Sequence, residues 1–219
     1  MRGRRRYRDR TQAGEVLAEA VAEALGALPE LPVLVLGLPR GGVPVAAPVA
    51  ACVGAPLDVL LVRKVGMPGH EELALGAVAD GGVLVRNDSV LRVARVDEAT
   101  FERAVARARA ELDERSGVLR GDRLPPSQAG QAVVLVDDGL ATGATMRAAV
   151  AAAQGSGARA VVVAVPVGAP DICSQLAEIA DAVVCPLQPN GLGAVGAWYD
   201  DFTQTTDAEV RELLGGDPA

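Results

Sequence analysis

A chain of 219 residues, half of them hydrophobic, is long enough for one α/β unit with a sizeable buried core and an appendage. Only 2% of the residues are aromatic, so that core must be built mainly from valine, leucine and alanine. The formal net charge of −7 argues against a general nucleic-acid binder, and no apolar run approaches the roughly 20 residues of a membrane span.

Met1 to Arg10 holds six arginines with no apolar stretch behind them, which reads as a solvated terminal arm and not a secretory signal. An arm that contacts phosphate or RNA is the alternative. Residues 11–27 place Val16, Leu17, Ala20, Val21, Ala24 and Leu25 at helical spacing, predicting a first amphipathic helix. Leu31–Leu36 reads as a strand, Val43–Val53 as a helix and Leu57–Val62 as the next strand. Residues 64–90 scatter Gly66, Pro68, Gly69, Gly76, Gly81 and Gly82 among short apolar runs, predicting a mobile excursion with a hairpin at 74–86. Such a segment suits a lid that excludes water. Its lone histidine, His70, with Glu71 and Glu72, reads as solvated. A charged helix over 97–117 and a Pro/Gly linker over Leu124–Gly130 follow. Two further strands, Ala160–Val165 and Ala182–Cys185, flank a helix near 171–180. This alternation predicts a parallel sheet with helices on both faces and ligands at the carboxyl ends of its strands. Cys52, Cys173 and Cys185 lie in apolar surroundings, as expected of buried thiols in a reducing cytoplasm. With one histidine and no Cys-x-x-Cys, a structural zinc site is not expected.

The most informative segment is Val133-Val-Leu-Val-Asp-Asp-Gly-Leu-Ala-Thr-Gly-Ala-Thr-Met146. An apolar, valine-rich run predicts a buried parallel strand, which delivers the chain to Asp137 and Asp138. After a short turn come Ala141, Thr142, Gly143, Ala144 and Thr145, and then an alanine-rich helix from Met146 to Gln154. A small-residue loop opening a helix is an anion site: free amides and the helix dipole face a phosphate, and threonine hydroxyls add donors. Glycine at 143 lets the backbone come close. Acids one loop before a phosphate cradle suit a ligand that carries phosphate and neighbouring hydroxyls, such as a phosphorylated ribose. Two other phosphate loops fail. A Walker A loop needs Gly-Lys-Ser/Thr, and the only lysine is Lys64. Gly191, Gly193 and Gly196 do form a Gly-x-Gly-x-x-Gly, but Ala197-Trp-Tyr-Asp-Asp-Phe202 behind it opens no helix.

Other strand ends carry related residues. The first strand runs into Pro39-Arg40-Gly41-Gly42 before a helix, a second turn able to hold an anion. The next strand ends in Arg63-Lys64 and a Gly/Pro-rich stretch. One lysine among twenty arginines suggests that a compact ammonium is wanted there.

The run Asp137-Asp138-x-x-Ala-Thr-Gly-x-Thr145 resembles the signature of type I phosphoribosyltransferases, which bind 5-phosphoribosyl-1-pyrophosphate. The turn at 39–42 resembles their pyrophosphate loop, and Arg63-Lys64 resembles the Arg-Lys of the adenine enzymes, so the likeness spans about 31–186 at three ordered motifs. It implies a core over 30–186 with a flexible loop at 64–90, preceded by an arm and helix at 1–29 and followed by a small hood and tail at 187–219. It further implies a Mg²⁺-dependent transferase of nucleotide salvage, expected as a cytoplasmic homodimer. In that reading Asp137 and Asp138 hold the ribose hydroxyls, directly or through metal-bound water. Ala141 to Thr145 hold the 5-phosphate. Pro39, Arg40, Gly41, Gly42, Arg63 and Lys64 hold the pyrophosphate, with Arg40 and Lys64 acting catalytically alongside the acids. A phosphoribosyl-pyrophosphate-sensing regulator on the same fold is the alternative.

Departures narrow the resemblance. Hypoxanthine/guanine enzymes carry an acid just before Thr-Gly, where this chain has Ala141, which argues against a 6-oxopurine. The tail resembles neither adenine nor orotate enzymes. The whole pattern, with Asp-Arg near the start and Ala-Val-Gly-x-Trp-Tyr near the end, looks most like a bacterial group of predicted phosphoribosyltransferases of unassigned acceptor. Trp198 and Tyr199 would either stack on a flat acceptor or pack the hood onto the core. Residues 187–210 contain no lysine or arginine to meet the carboxylate of orotate. Adenine or another amino-substituted heterocycle therefore ranks above guanine, hypoxanthine and orotate.

Overall fold

The computed structural model describes residues 6–67 and 69–215, without the side chains of Glu71 and Glu72. Pro68 and the arginines at 2, 4 and 5 thus lie outside the described residues. Five strands form one parallel sheet in the order β2-β1-β6-β7-β8. They are β1 (Val33–Gly37), β2 (Leu57–Val59), β6 (Ala132–Val136), β7 (Ala160–Ala164) and β8 (Ala182–Val184). The central β6 and β7 are buried at every position, as continuous runs of valine, leucine and alanine with covered faces must be.

Helices cover both faces. α1 (Arg10–Gly26) and α2 (Gly42–Val53) pack on one through Leu17, Val21, Val45 and Val49, which meet Val35, Val134 and Val162 of the sheet. Gly14 brings these helices together, since a Cβ there would run into the Val45 carbonyl. α5 (Ala144–Gly155) and α6 (Pro170–Ala177) cover the other face through Met146, Ala149, Val150 and Leu176.

The structure corrects one expectation between residues 57 and 90 and extends another. Leu57–Val62 is not one strand: β2 ends at Val59, and β3 (Val62–Met67) begins a different sheet. Residues 64–90, expected as an excursion with a hairpin, hold more strand than that. β3, β4 (His70–Ala79) and β5 (Leu84–Arg86) form an antiparallel sheet in that order, followed by α3 (Asp88–Val93). Scattered glycines hid this because the pattern breaks locally, with a register shift around Gly66 and a positive-φ turn at Gly81 and Gly82. The expected hairpin corresponds to β4–β5. Val65, Leu75 and Val78 bury one face of this sheet against Phe101, Val105 and Leu112 of α4 (Glu98–Arg120).

Arg120 fastens the small sheet to the large one. Its side chain is fully buried, with Nε 2.7 Å from Asp58 of β2 and Nη2 2.8 Å from Asp80 after β4. The same nitrogen donates to the Val59 carbonyl, and the Leu61 amide donates to Asp80 over 2.9 Å. The chain leaves one sheet for the other around this one cation. The C-terminal stretch also divides. Trp198, Tyr199 and Leu192 form a small cluster with Tyr7, whereas α7 (Asp207–Leu213) buries Val210 in the core of the antiparallel sheet. Tyr7 joins the part of the expected hood-and-tail segment 187–219 that holds Trp198, its amide donating to the Trp198 carbonyl over 2.9 Å. Cys173 is buried, but Cys52 is exposed, against expectation. No helix among the described residues is long and apolar enough to cross a membrane.

Replacing Arg120 by methionine leaves two carboxylates without their cation, which should cost about 3–5 kcal/mol of unfolding free energy. Urea denaturation checks this, and a loss below about 1 kcal/mol, the worth of an exposed pair, would show that the cation does not tie the two sheets.

Candidate active site

Parallel strands that end together bring their following loops together, and here β1 and β6 are hydrogen-bonded neighbours. After β1 the chain turns through Leu38, Pro39, Arg40 and Gly41 into α2, with a cis peptide between Pro39 and Arg40. After β6 it delivers Asp137 and Asp138. The two turns touch so closely that only glycine fits between them. A Cβ on Gly41 would collide with Oδ2 of Asp138, and one on Gly42 would lie 2.5 Å from the Val136 carbonyl and 2.9 Å from Cα of Asp137. The Leu38 amide donates to the Val136 carbonyl over 2.8 Å and fixes the register.

The two acids have different surroundings. Asp138 takes both Nε and Nη2 of Arg10 at 2.9 Å on one oxygen. The Arg10 guanidinium also donates to the Thr203 carbonyl over 2.7 Å and lies 3.9 Å over the ring of Phe202. Among the described residues Asp137 has no such paired cation, and it accepts the Asp138 amide over 2.9 Å. Burial, and then the neighbouring Asp138 charge, push the Asp137 carboxyl well above the usual carboxylate range. Burial also raises Asp138, and Arg10 opposes it.

Arg10 is the site residue that sequence reasoning missed. It belongs to the arginine-rich segment read as solvated, yet its side chain is only 12% exposed. Asp9 caps α1 by accepting the Gln12 amide over 2.7 Å, so the Asp-Arg dipeptide starts the helix and aims the arginine at the strand ends.

The threonine loop follows as expected. Gly143 adopts a left-handed φ of 68° and precedes α5 with no side-chain cap, so the first-turn amides of a 12-residue helix face outward. Ala141, Thr142 and Thr145 are exposed and Ala144 half-buried. Arg147 braces the loop by donating to the Thr142 carbonyl over 2.8 Å.

The remaining cations separate. Arg63 and Lys64 are consecutive on β3 and so face opposite sides of it. Arg63 lines a cavity of about 180 Å³ with Pro39, Arg115 and Thr145, and that cavity joins the first turn to the threonine loop. Lys64 is exposed and does not line it. His70 is also exposed. Arg40 approaches Asp207 of α7 at 3.7 Å.

Trp198 and Tyr199 are 5% and 3% exposed. Trp198 Nε1 donates to the Leu192 carbonyl over 2.9 Å, and the Tyr199 hydroxyl donates to the Asp138 carbonyl over 2.6 Å. Tyr7 and Phe202 lie against the Tyr199 ring with centroids 5.7 and 4.9 Å away. These aromatics pack the hood onto the acid loop and leave no ring face for stacking. Gly139 serves the same closure, since a Cβ there would strike Val195.

A family model described as "Phosphoribosyl transferase domain" matches residues 5–195. Two Mycobacterium tuberculosis proteins, from strains CDC 1551 / Oshkosh and ATCC 25618 / H37Rv, are each named "Putative phosphoribosyl transferase". They are 47% identical to this chain over 210 residues, 95% of it and 46% of their own length. The chain thus spans about half the length of these curated relatives. The crystal structure of TT1426 from Thermus thermophilus superposes with a TM-score of 0.82 at 48% identity, covering 95% of this chain and 97% of that one.

The raised carboxyl of Asp137 has a consequence for stability. An acid whose pKa is higher in the folded state weakens the fold as pH climbs from its ordinary value, 3.8, to the raised one, by about 1.4 kcal/mol for each pH unit between the two. Asp137→Asn should therefore melt higher than the wild type at pH 8, with the gain fading towards pH 4. Melting curves across that range check it, and equal or lower stability of the variant at pH 8 contradicts it.

Proposed function

As the chain belongs to the phosphoribosyl transferase domain family, we propose that it binds 5-phosphoribosyl-1-pyrophosphate with Mg²⁺ and transfers the phosphoribosyl group to a nitrogenous, nucleobase-like acceptor, releasing pyrophosphate. One observation carries the reading: the paired acids at the end of β6 lie between a glycine turn in contact with them and an uncapped helix start.

In this assignment the amides of Gly143 to Thr145, with the two threonine hydroxyls, hold the 5-phosphate against the positive end of α5. Asp137 and Asp138 take the ribose hydroxyls. Pro39 to Gly42 and Arg63 face the pyrophosphate, and Lys64 serves only if β3 presents its other side to the ligand. When the C1–oxygen bond breaks, its electron pair leaves with pyrophosphate and the ribose ring gains oxocarbenium-like charge. The acceptor nitrogen then supplies the electron pair for the new C1–N bond and gives up its N–H proton to solvent. Catalysis here is positioning and charge stabilisation: the acid pair favours the cationic ring, and the guanidinium groups favour the departing anion.

The described residues hold no cluster of three or more His, Cys, Asp or Glu able to bind a metal. In this proposal Mg²⁺ would be carried by ligand oxygens and water, with Asp137 and Asp138 reaching it indirectly. The ion, when bound, would neutralise charge on the pyrophosphate.

For the acceptor, Ala141 supplies no acid to a 6-oxopurine, and residues 187–210 supply no cation to orotate. An amino-substituted heterocycle such as adenine stays first in rank, recognised by backbone carbonyls or an acid instead of a stacked aromatic ring. A pyrophosphate-release screen over free bases and small amines tests the activity. Turnover with at least one acceptor, abolished in Asp137→Asn/Asp138→Asn while the fold persists, is expected. Full activity in the double variant would remove the acids from the mechanism.

A further inference from the structure

Two thiols from different elements meet behind the loops of the candidate site. Cys173 lies in α6, and Cys185 directly follows β8. Both sulfurs press on Gly168: a Cβ there would lie 2.9 Å from Sγ of Cys173, 3.2 Å from Sγ of Cys185 and 3.1 Å from Cβ of Leu140. The Cys185 thiol has two acceptors in reach, the Cys173 sulfur and the Leu187 carbonyl at 3.4 Å. Cys173 is buried and Cys185 half-buried. Burial raises both thiols above the ordinary range, and the hydrogen bond from Cys185 makes Cys173 the readier of the two to lose its proton.

Gly168 is where three strand-end loops are laced together. Its amide donates to the Leu187 carbonyl over 3.0 Å. On either side of it, the Val167 carbonyl accepts the Leu140 amide over 2.9 Å and the Ala169 amide donates to the Leu140 carbonyl over 3.0 Å. Leu140 belongs to the loop that joins Asp138 to Thr142. The same helix reaches the far end of that loop, since Ile172, next to Cys173, packs so close to Gly143 that a Cβ there would lie 2.6 Å from its Cγ2.

We propose that Cys173 and Cys185 are a modification site, a disulfide formed reversibly with a peroxide as oxidant, and that closing it displaces the acid loop and the threonine loop. The Cys173 thiolate attacks one peroxide oxygen and becomes a sulfenic acid, and the other oxygen leaves and is protonated to water. The Cys185 sulfur then displaces the sulfenic hydroxyl as a second water. Two thiols and one hydrogen peroxide thus give one disulfide and two waters, with two electrons passing to the peroxide. A disulfide holds its sulfurs about 2.05 Å apart, well inside the contact distance of two thiols, so α6 and the end of β8 must draw together across Gly168. The bridge also takes the thiol donor from the Leu187 carbonyl and shifts Ile172 against Gly143. The consequence for ligand binding rests on the function proposed above, whereas the movement of the loops does not.

Peroxide treatment of Cys52→Ser, which lacks the exposed thiol of α2, tests it. Both remaining thiols, counted after unfolding, should disappear and return with dithiothreitol. In the oxidised protein the amides of Leu140, Gly168 and Ala169 should exchange with deuterium at least ten-fold faster, and 5-phosphoribosyl-1-pyrophosphate with Mg²⁺ should bind at least ten-fold more weakly. Cys52→Ser/Cys173→Ala/Cys185→Ala should show neither change. Thiols that persist, thiols lost beyond recovery by dithiothreitol, or a disulfide that leaves amide exchange unchanged or slower would each overturn the proposal. So would equal affinity of the two forms where the reduced form binds ligand. Faster exchange on oxidation, in a protein whose reduced form binds no 5-phosphoribosyl-1-pyrophosphate, would overturn the proposed function and leave the disulfide and its loop movement standing.

Discussion

The contact between the Gly41–Gly42 turn and the acid pair governs the architecture of the site. Two backbones at the ends of neighbouring strands approach until no side chain fits between them, and that closeness sets a phosphate-type turn beside two carboxylates. Bringing acids into such a place costs solvation. Arg10 offsets part of this cost by pairing with Asp138, while Asp137 carries the rest as a raised carboxyl. A ligand offering hydroxyl donors or a cation would relieve the remaining deficit.

Arg10 also explains how the hood is joined to the chemistry. It spans from the acid to Phe202 and the Thr203 carbonyl, and Tyr199 reaches the carbonyl of the same acid. Tyr7 lies on the other side of Tyr199. The segment before α1 and the segment after β8 are therefore one structural unit, built around an acid from the middle of the chain. On the opposite flank, Arg120 plays the corresponding part by holding Asp58 and Asp80 together. It thereby fixes the antiparallel sheet and α4, the elements that carry Arg63 and Arg115 to the cavity. Arg120 is buried and Arg10 partly so, and the delocalised, weakly hydrated charge of arginine is the least costly cation to enclose.

Much of this was legible from residue order. The valine-rich strands, the alanine-rich α5 and the glycines at 41, 42 and 143 carry their structural reasons locally, in periodicity, propensity and conformational freedom. What was not legible depends on encounters across the fold. Arg10 meets an acid 128 positions away, and nothing beside it in sequence announces that meeting. Arg115 and Arg120 sit in a helix rich in arginine, where only the tertiary placement separates a buried anchor from a solvated charge. The break between β2 and β3 falls within an unbroken apolar run, Leu60-Leu61, because both sheets need buried residues at their junction. Trp198 and Tyr199 could be placed in the hood, but whether their faces would be open or covered depended on Tyr7 and Leu192, which the local sequence does not reveal.

The central claim is that the acid pair and the two adjoining loops form one binding site for a phosphorylated, pyrophosphate-bearing ribose. Titration calorimetry of 5-phosphoribosyl-1-pyrophosphate with Mg²⁺ into the wild type and into Gly41→Ala tests it most directly, since the added methyl pushes against the Asp138 carboxylate and parts turn from acid without adding or removing a charge. One-to-one binding by the wild type and at least ten-fold weaker binding by a folded Gly41→Ala are predicted. No binding by the wild type, or equal affinity in the two proteins, would contradict the account.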